Sequence, residues 1–335
     1  MTLAFICGCA ATTLNAEERA FIRQSEPWGL ILFKRNVADR AQMRALADSF
    51  RDIVGRIDAP VLIDQEGGRV QRMGPPHWQA YPSAATFGAF ADHDGAIAAA
   101  RLAARLIAHD LSEVGINVDC TPVLDVAQAG MHAAIGNRSW SSDPSRVAAF
   151  GRAVAQEMLA GGVAPVIKHI PGHGRATVDS HLELPIVEAS RADLDGHDFA
   201  PFKALADLPM AMTAHVVYRD IDPERPATTS RIIVDEIIRG AIGFDGLLLS
   251  DDLSMKALGG PFAERTASVF AAGVDIALHC NGDLKETREV AASAPKLAGD
   301  ALRRARAALA RIASGAQPFD VEAARAKLGA AFEPA

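Results

Sequence analysis

Residues 163–181 read VAPVIKHIPGHGRATVDSH, and the point at which this stretch changes character decides the fold. Its first five residues, Val163 to Ile167, are apolar without alternation, the pattern of a parallel strand covered on both faces. Ionisable residues follow at once: Lys168, His169, His173, Asp179 and His181. Pro171 removes a ladder donor and stops the strand, and Gly172 and Gly174 allow the chain to turn sharply or to move. A strand that is dry along its length and chemical at its C-terminal end suits a β/α barrel, where functional groups stand on strand ends and the loops after them.

The same pattern recurs seven more times. LAFICGC (3–9), GLILFKRN (29–36), PVLIDQE (60–66), INVDCTPVLDV (116–126), MAMTAHVV (210–217), GLLLSDD (246–252) and VDIALHC (274–280) are all short apolar runs with little alternation. Stretches of helical period lie between them, such as NAEERAFIRQ (15–24), DRAQMRALADSFRDIV (39–54) and DPSRVAAFGRAVAQEMLAGG (143–162). Asn15 with Glu18 fits a capping box, Asp143-Pro144 places proline in a first helical turn, and Gly161, Gly162 and Gly273 close helices. Eight strand–helix repeats without a composition break predict an α/β fold, a single-domain (β/α)8 TIM-type barrel over residues 1–335. LAGDALRRARAALARIASG (297–315) is an additional C-terminal helix, expected to pack on the barrel with a solvated arginine face.

Composition narrows the function. The chain has 335 residues, 49% apolar and 22% charged, enough to bury a sizeable core. A net charge of −7 without any lysine or arginine cluster argues against a nucleic-acid partner. No run of 18 apolar residues provides a membrane span. At the N-terminus, MTLAFICGCAATTLNAEER carries no positive charge before Arg19 and reads as a buried strand rather than a secretion signal. Cys7, Cys9, Cys120 and Cys280 sit in apolar runs, not at metal-site spacings, so free buried thiols in the cytoplasm are expected. No metal or cofactor is expected.

Nearly every strand turns ionisable at its C-terminal end: Asp64 to Arg69 after strand three, Asp125 after four, Lys168 and His169 after five, His215 after six, Asp251 and Asp252 after seven, His279 in eight. Three chemistries can use such a rim. Metal-assisted hydrolysis would take His169, His173, His181 and Asp179 as ligands, although the first strand, ending ICGCA, lacks the histidine pair that barrel metallohydrolases use. Schiff-base chemistry would use Lys168, buried and with a depressed pKa. Glycoside cleavage would need one ionised carboxylate and one proton donor on opposite sides of the scissile bond. The residues alone permit both of the last two.

The motifs IDQEGGRVQRM (63–73), TPVLDV (121–126), GNRSW (136–140), APVIKHIPGHGRATVDSH (164–181), MTAHVVY (212–218) and LLSDDLSM (248–255) resemble glycoside hydrolase family 3, in particular its bacterial cytoplasmic β-N-acetylglucosaminidases of peptidoglycan recycling. The resemblance spans nearly the whole barrel and is loose only in the first strand, where Cys7 stands at a position expected to be acidic. It implies a retaining exo-β-N-acetylglucosaminidase that removes terminal β-linked N-acetylglucosamine from muropeptide fragments, GlcNAc-1,6-anhydroMurNAc with or without peptide. Asp251 would be the nucleophile, His181 the general acid–base and Asp179 the carboxylate that orients and charges it. Asp64, Arg72, Arg138, Lys168 and His169 would bind the sugar. An imidazolium paired with an aspartate keeps its proton near neutrality, so a histidine can replace the usual second carboxyl group. On this reading the loop's glycines let the donor swing in over bound sugar, Asp252 caps a helix over LSMKAL, Glu66 and Arg69 brace the DQEGG turn, and His173 and His215 support the site from behind. The alternatives are another family 3 β-glycosidase, an N-acetylglucosamine phosphorylase, and a silent sugar-binding barrel; the last has no need of a nucleophile.

Overall fold

Each of the eight apolar runs forms a strand, and each neighbouring pair around the ring is parallel. The structure is a computed structural model and describes residues 2–332. The strands are β1 (Leu3–Cys7), β2 (Pro27–Leu32), β3 (Val61–Ile63), β4 (Val118–Asp119), β5 (Ala164–Ile170), β6 (Met210–Thr213), β7 (Leu247–Asp252) and β8 (Ile276–His279). Phe5 of β1 pairs with Ala277 of β8 and closes the barrel. Within a strand, alternate side chains point inward. Ile6, Leu62, Val118, Val166, Leu247 and Leu249 fill the interior, whereas Phe5, Val61, Ile63, Ile167 and Leu248 face the helices. Both sets are dry, and for that reason the runs show no alternation in sequence.

At β3 and β4 the ladder stops where the polar residues begin, whereas β5 and β7 carry their polar ends within the strand. After β3 the chain turns into a small antiparallel ribbon, Gln65–Gly67 with Val70–Gln71. After β4, Pro122 has no N–H to give. The chain nevertheless stays beside β5: Leu124 N–H donates to the Lys168 carbonyl at 2.6 Å and Val123 bridges Lys168. Asp125 is thus carried to the same level as the end of β5.

The outer layer contains α1 (Ala16–Ser25), α2 (Arg40–Val54), α3 (His93–Glu113) and α4 (Pro144–Ala160). The Asn15–Glu18 capping box starts α1, and Asp143 caps α4 with proline in its first turn. Two short helices, Arg191–Gly196 and Ala200–Ala204, follow β5, and a π-helix, Ile233–Ala241, follows β6. The layer continues through α5 (Phe262–Ala272) and α6 (Leu284–Ser293). The expected C-terminal helix is α7 (Gly299–Ala310), which crosses the N-terminal end of the barrel and inserts Ala305 and Ala308 into its interior cluster. Arg303 and Arg304 bind Asp245.

One helix was not expected. Val321–Ala330 forms α8 and packs on α3, burying little more than Ala324 and Leu328, too few residues to set up a clear periodicity. Long-range polar contacts hold it: Arg325 stands 3.9 Å from buried Asp110, and Arg105 lies over the Phe319 ring just ahead of the helix. The four cysteines are free and buried.

Candidate active site

The C-terminal strand ends surround a cavity of about 300 Å³. All eight residues singled out in sequence line it: Asp64, Arg72, Arg138, Lys168, His169, Asp179, His181 and Asp251. Along one wall runs a chain of alternating charge. Arg72 donates to Asp64 at 2.9 Å, and Lys168 Nζ stands 2.7 Å from both Asp64 and Glu66. Glu66 in turn accepts two bonds from Arg138, at 2.7 and 2.8 Å. Burial alone would pull the Lys168 ammonium down, but Asp64 and Glu66 outweigh it and hold it well above its ordinary value. Lys168 is therefore a firmly charged grip, unsuited to forming a Schiff base, which needs a neutral amine. Glu66 is the residue that sequence reasoning undervalued. It does not merely brace its turn but links Lys168 to Arg138. Arg69 does act as a brace, donating to the carbonyls of Ala133 and Ala134 and to Asn137.

The opposite wall holds Asp251 at the end of β7. Its backbone N–H donates to Thr213 Oγ1 at 3.3 Å, and its Oδ1 accepts the Asp252 N–H at 2.8 Å. Beneath it a buried chain runs from Thr213 Oγ1 to Thr228 Oγ1 and on to His215 Nδ1, each step 2.7 Å. His215 Nε2 then meets the Asp252 carbonyl at 3.0 Å, which can only accept, so Nε2 carries the proton. His215 thus fixes the end of β7. Burial works to raise the Asp251 carboxyl, but His215, His169 and the Asp252 N–H bring it below its ordinary value. Asp252 is not a helix cap: no helix begins until Phe262. Its carboxylate instead accepts from the Ser254 N–H and the Cys280 N–H, both at 3.0 Å, tying the turn after β7 to the residue that follows β8.

His279 is the strand-end residue that does not reach the rim. Its neighbours Leu278 and Cys280 line the cavity, so alternation turns its ring outward, 5.0 Å from the Phe262 ring and 3.6 Å from Glu286.

The loop after β5 supplies the remaining groups. Buried Asp125 accepts His169 Nδ1–H at 2.7 Å and the backbone N–H groups of His169 and His173 at 3.2 and 2.6 Å. Its pKa is set by burial, which raises it, and by the stronger opposing pull of His169 and His173, which leaves it at about 2. The bond to Nδ1 leaves His169 Nε2 as the ring nitrogen open to another partner. Asp179 Oδ1 accepts both the backbone N–H and Nδ1 of His181 at 2.9 Å, and the His181 side chain is 66% exposed. In this conformation both glycines sit at close contacts. A Cβ on Gly174 would stand 1.9 Å from the Val126 carbonyl oxygen, Gly172 presses on Asp198, and Tyr218 O–H donates to the Gly172 carbonyl. A side chain at either position would not fit beside these neighbours. Among the described residues, no group of three His, Cys, Asp or Glu is arranged to hold a metal ion. His169, His173 and His181 each bond to a different partner.

A carboxylate at one wall, a histidine–aspartate pair at the mouth and a wall of alternating charge line one cavity, residue types that can carry out acid-assisted displacement. Residues 5–314 match the glycosyl hydrolase family 3 N-terminal domain. A β-hexosaminidase from Bordetella avium is 40% identical over 281 residues, covering 81% of this chain and 79% of that one. A β-hexosaminidase from Xanthomonas campestris pv. campestris is 36% identical, with 98% of each chain covered. Among solved structures, NagZ from Neisseria gonorrhoeae in complex with N-trifluoroacetyl-D-glucosamine superposes with a TM-score of 0.88 at 32% identity, covering 99% of this chain and 98% of that one.

Proposed function

We propose, starting from the fact that the chain belongs to glycosyl hydrolase family 3, that it is a retaining exo-β-N-acetylglucosaminidase of peptidoglycan recycling. Its substrate is GlcNAc-1,6-anhydroMurNAc, with or without a peptide, in the cytoplasm. That the chain is a hydrolase of the β-N-acetylhexosaminidase kind follows from the family and its relatives; the stereochemical course and the natural substrate are what we add.

One observation carries the proposal. Asp251, a carboxylate held below its ordinary value, faces the same cavity as His181, which is paired with Asp179 on a loop from a different strand. In the first step Asp251 attacks the anomeric carbon, forming a glycosyl ester while His181 protonates the departing oxygen. In the second, His181 takes a proton from water, whose oxygen attacks the same carbon and releases Asp251. Asp64 accepts from sugar hydroxyls, Arg72, Arg138 and Lys168 donate to hydroxyl and acetamido oxygens, and His169 Nε2 pairs with a sugar hydroxyl. A cavity of about 300 Å³ is at the small end for ligand sites and suits a single terminal sugar. The amino-sugar analogue bound by the gonococcal relative supports the same class of ligand.

The test is mass spectrometry after reaction with a slow fluorinated aminosugar substrate. A covalent increment on the peptide containing Asp251 is expected, and an increment on Asp252 or Asp64 would overturn the assignment. An aryl β-N-acetylglucosaminide should be cleaved and the matching glucoside not, at a rate independent of phosphate. Activity on neither substrate would remove the proposal, and a requirement for phosphate would make the protein a phosphorylase.

A further inference from the structure

Asp179 and His181 face the cavity, but neither anchors the segment they stand on. His181 is 66% exposed on its side chain and Asp179 24%. Ser180 between them is buried, 5% exposed, and its Oγ lies 3.3 Å from His173 Nε2. The His173 ring is itself buried, 2% exposed, with its edge toward His169 at 5.7 Å between centroids. Among the described residues, Nδ1 of that ring has no partner, so Ser180 is its hydrogen bond. His173 is also held through its backbone: its N–H donates to buried Asp125 at 2.6 Å, and the glycines on either side lie close against Asp198 and Val126. Burial draws the imidazole down to about 4, leaving it neutral and able to share one proton with a hydroxyl.

We propose that His173 is a positioning residue that latches the distal half of this loop by gripping Ser180, and so holds the Asp179–His181 pair over the cavity. The inference rests on the acid–base role given to His181 above. The latch works from inside the barrel, because His173 is built on the first half of the loop and on Asp125, the same carboxylate that orients the sugar-facing His169. Its other supports are backbone bonds: the Ser180 and His181 carbonyls accept the Ala257 and Lys256 N–H groups at 3.2 and 3.4 Å, and the Ala176 carbonyl accepts the His132 N–H at 2.9 Å. The Ser180 hydroxyl ties this segment to the His173 ring by a side-chain bond, so its loss raises the undocked population of the loop.

The experiment compares wild type with Ser180→Ala, Ser180→Thr and His173→Gln, and with His181→Ala as reference, on a β-linked N-acetylglucosamine disaccharide and on an aryl glycoside with a low-pKa phenol. Ser180→Ala should lower kcat on the disaccharide about 3- to 10-fold, the population change worth one net hydrogen bond. KM on both substrates and kcat on the aryl glycoside should stay within about twofold, since a good leaving group needs little protonation. Ser180→Thr should recover most of the loss, and adding His173→Gln to Ser180→Ala should cost nothing further, because the two act through one bond. Amide exchange across residues 176–182 should accelerate in Ser180→Ala by a similar factor.

Equal slowing of both substrates by Ser180→Ala, or no slowing of either, overturns the latch. If His181→Ala slows the two substrates equally, it is the acid–base reading that fails. In that case the exchange measurement alone decides the latch, faster exchange across 176–182 supporting it and unchanged exchange refuting it. Ser180→Ala removes one small side-chain atom, so the test stands even if His173→Gln does not fold.

Discussion

Replacing Glu66 with glutamine removes one negative charge from the middle of the chain Arg72, Asp64, Lys168, Glu66, Arg138 while keeping its shape. The Glu66 side chain is 7% exposed and accepts from Lys168 and twice from Arg138. Burial alone would raise its carboxyl, but the two cations outweigh it and lower the pKa from 4.5 to about 2. A carboxyl depressed this far contributes about 3 kcal/mol to folding at neutral pH. Breaking a buried ion pair by removing one partner costs about 3–5 kcal/mol by a separate route, so the two estimates agree. The sign follows from the direction of the shift. The stabilisation is present above the unfolded value near 4.5 and is lost as pH falls toward the folded value near 2. Urea denaturation should therefore find Glu66→Gln about 3 kcal/mol less stable than wild type at pH 7, with the gap shrinking to about 2 kcal/mol at pH 3.5. KM should rise as well, since Arg138 loses the partner that aims it. A gap below about 0.5 kcal/mol at pH 7, or one that does not change with pH, would refute the reasoning that this chain is held together by charge.

Three further outcomes can be checked with the same protein. His181→Ala should slow cleavage of a disaccharide by about 10²–10⁴-fold and that of an activated aryl glycoside far less, with Asp179→Ala acting in the same direction; equal factors on both substrates would make His181 a binding residue. Because Asp251 is depressed, first against burial and then by His215 and His169, the nucleophile stays ionised below the ordinary aspartate value near 3.9. The acid limb of kcat/KM should lie there, activity being lost as pH falls through the lowered value, and a limb above about pH 5 would count against Asp251. Gly174→Ala places a Cβ 1.9 Å from the Val126 carbonyl oxygen and should cost at least about 1–3 kcal/mol by urea denaturation; unchanged stability would refute close packing as the reason for glycine here.

Local information was sufficient for the barrel. An apolar run without alternation, ended by proline or by charge, reports a strand buried on both faces, because the pattern depends on residues only one or two positions apart. The capping box at Asn15 and Glu18 and the proline start of α4 are equally local, and each is where the sequence places it. The residues that line the cavity were also legible, since they stand at strand ends or within specific motifs. What only the tertiary structure decided was which of them meet. Glu66 and Arg138 are 72 positions apart and Lys168 and Asp64 are 104, so no pattern within a window of sequence links them. His279 has the composition of a rim residue but the parity of an outward one, and parity is set by the register of barrel closure. Gly172 and Gly174 show no partner in sequence; Asp198 and Val126 are brought against them by packing. Asp252 precedes a stretch that could begin a helix, yet its carboxylate is taken by Ser254 and by Cys280, just past the end of the neighbouring strand. Conformation along the chain is governed by near neighbours, whereas the partner of a buried charge is chosen by whichever strands the closed sheet places side by side.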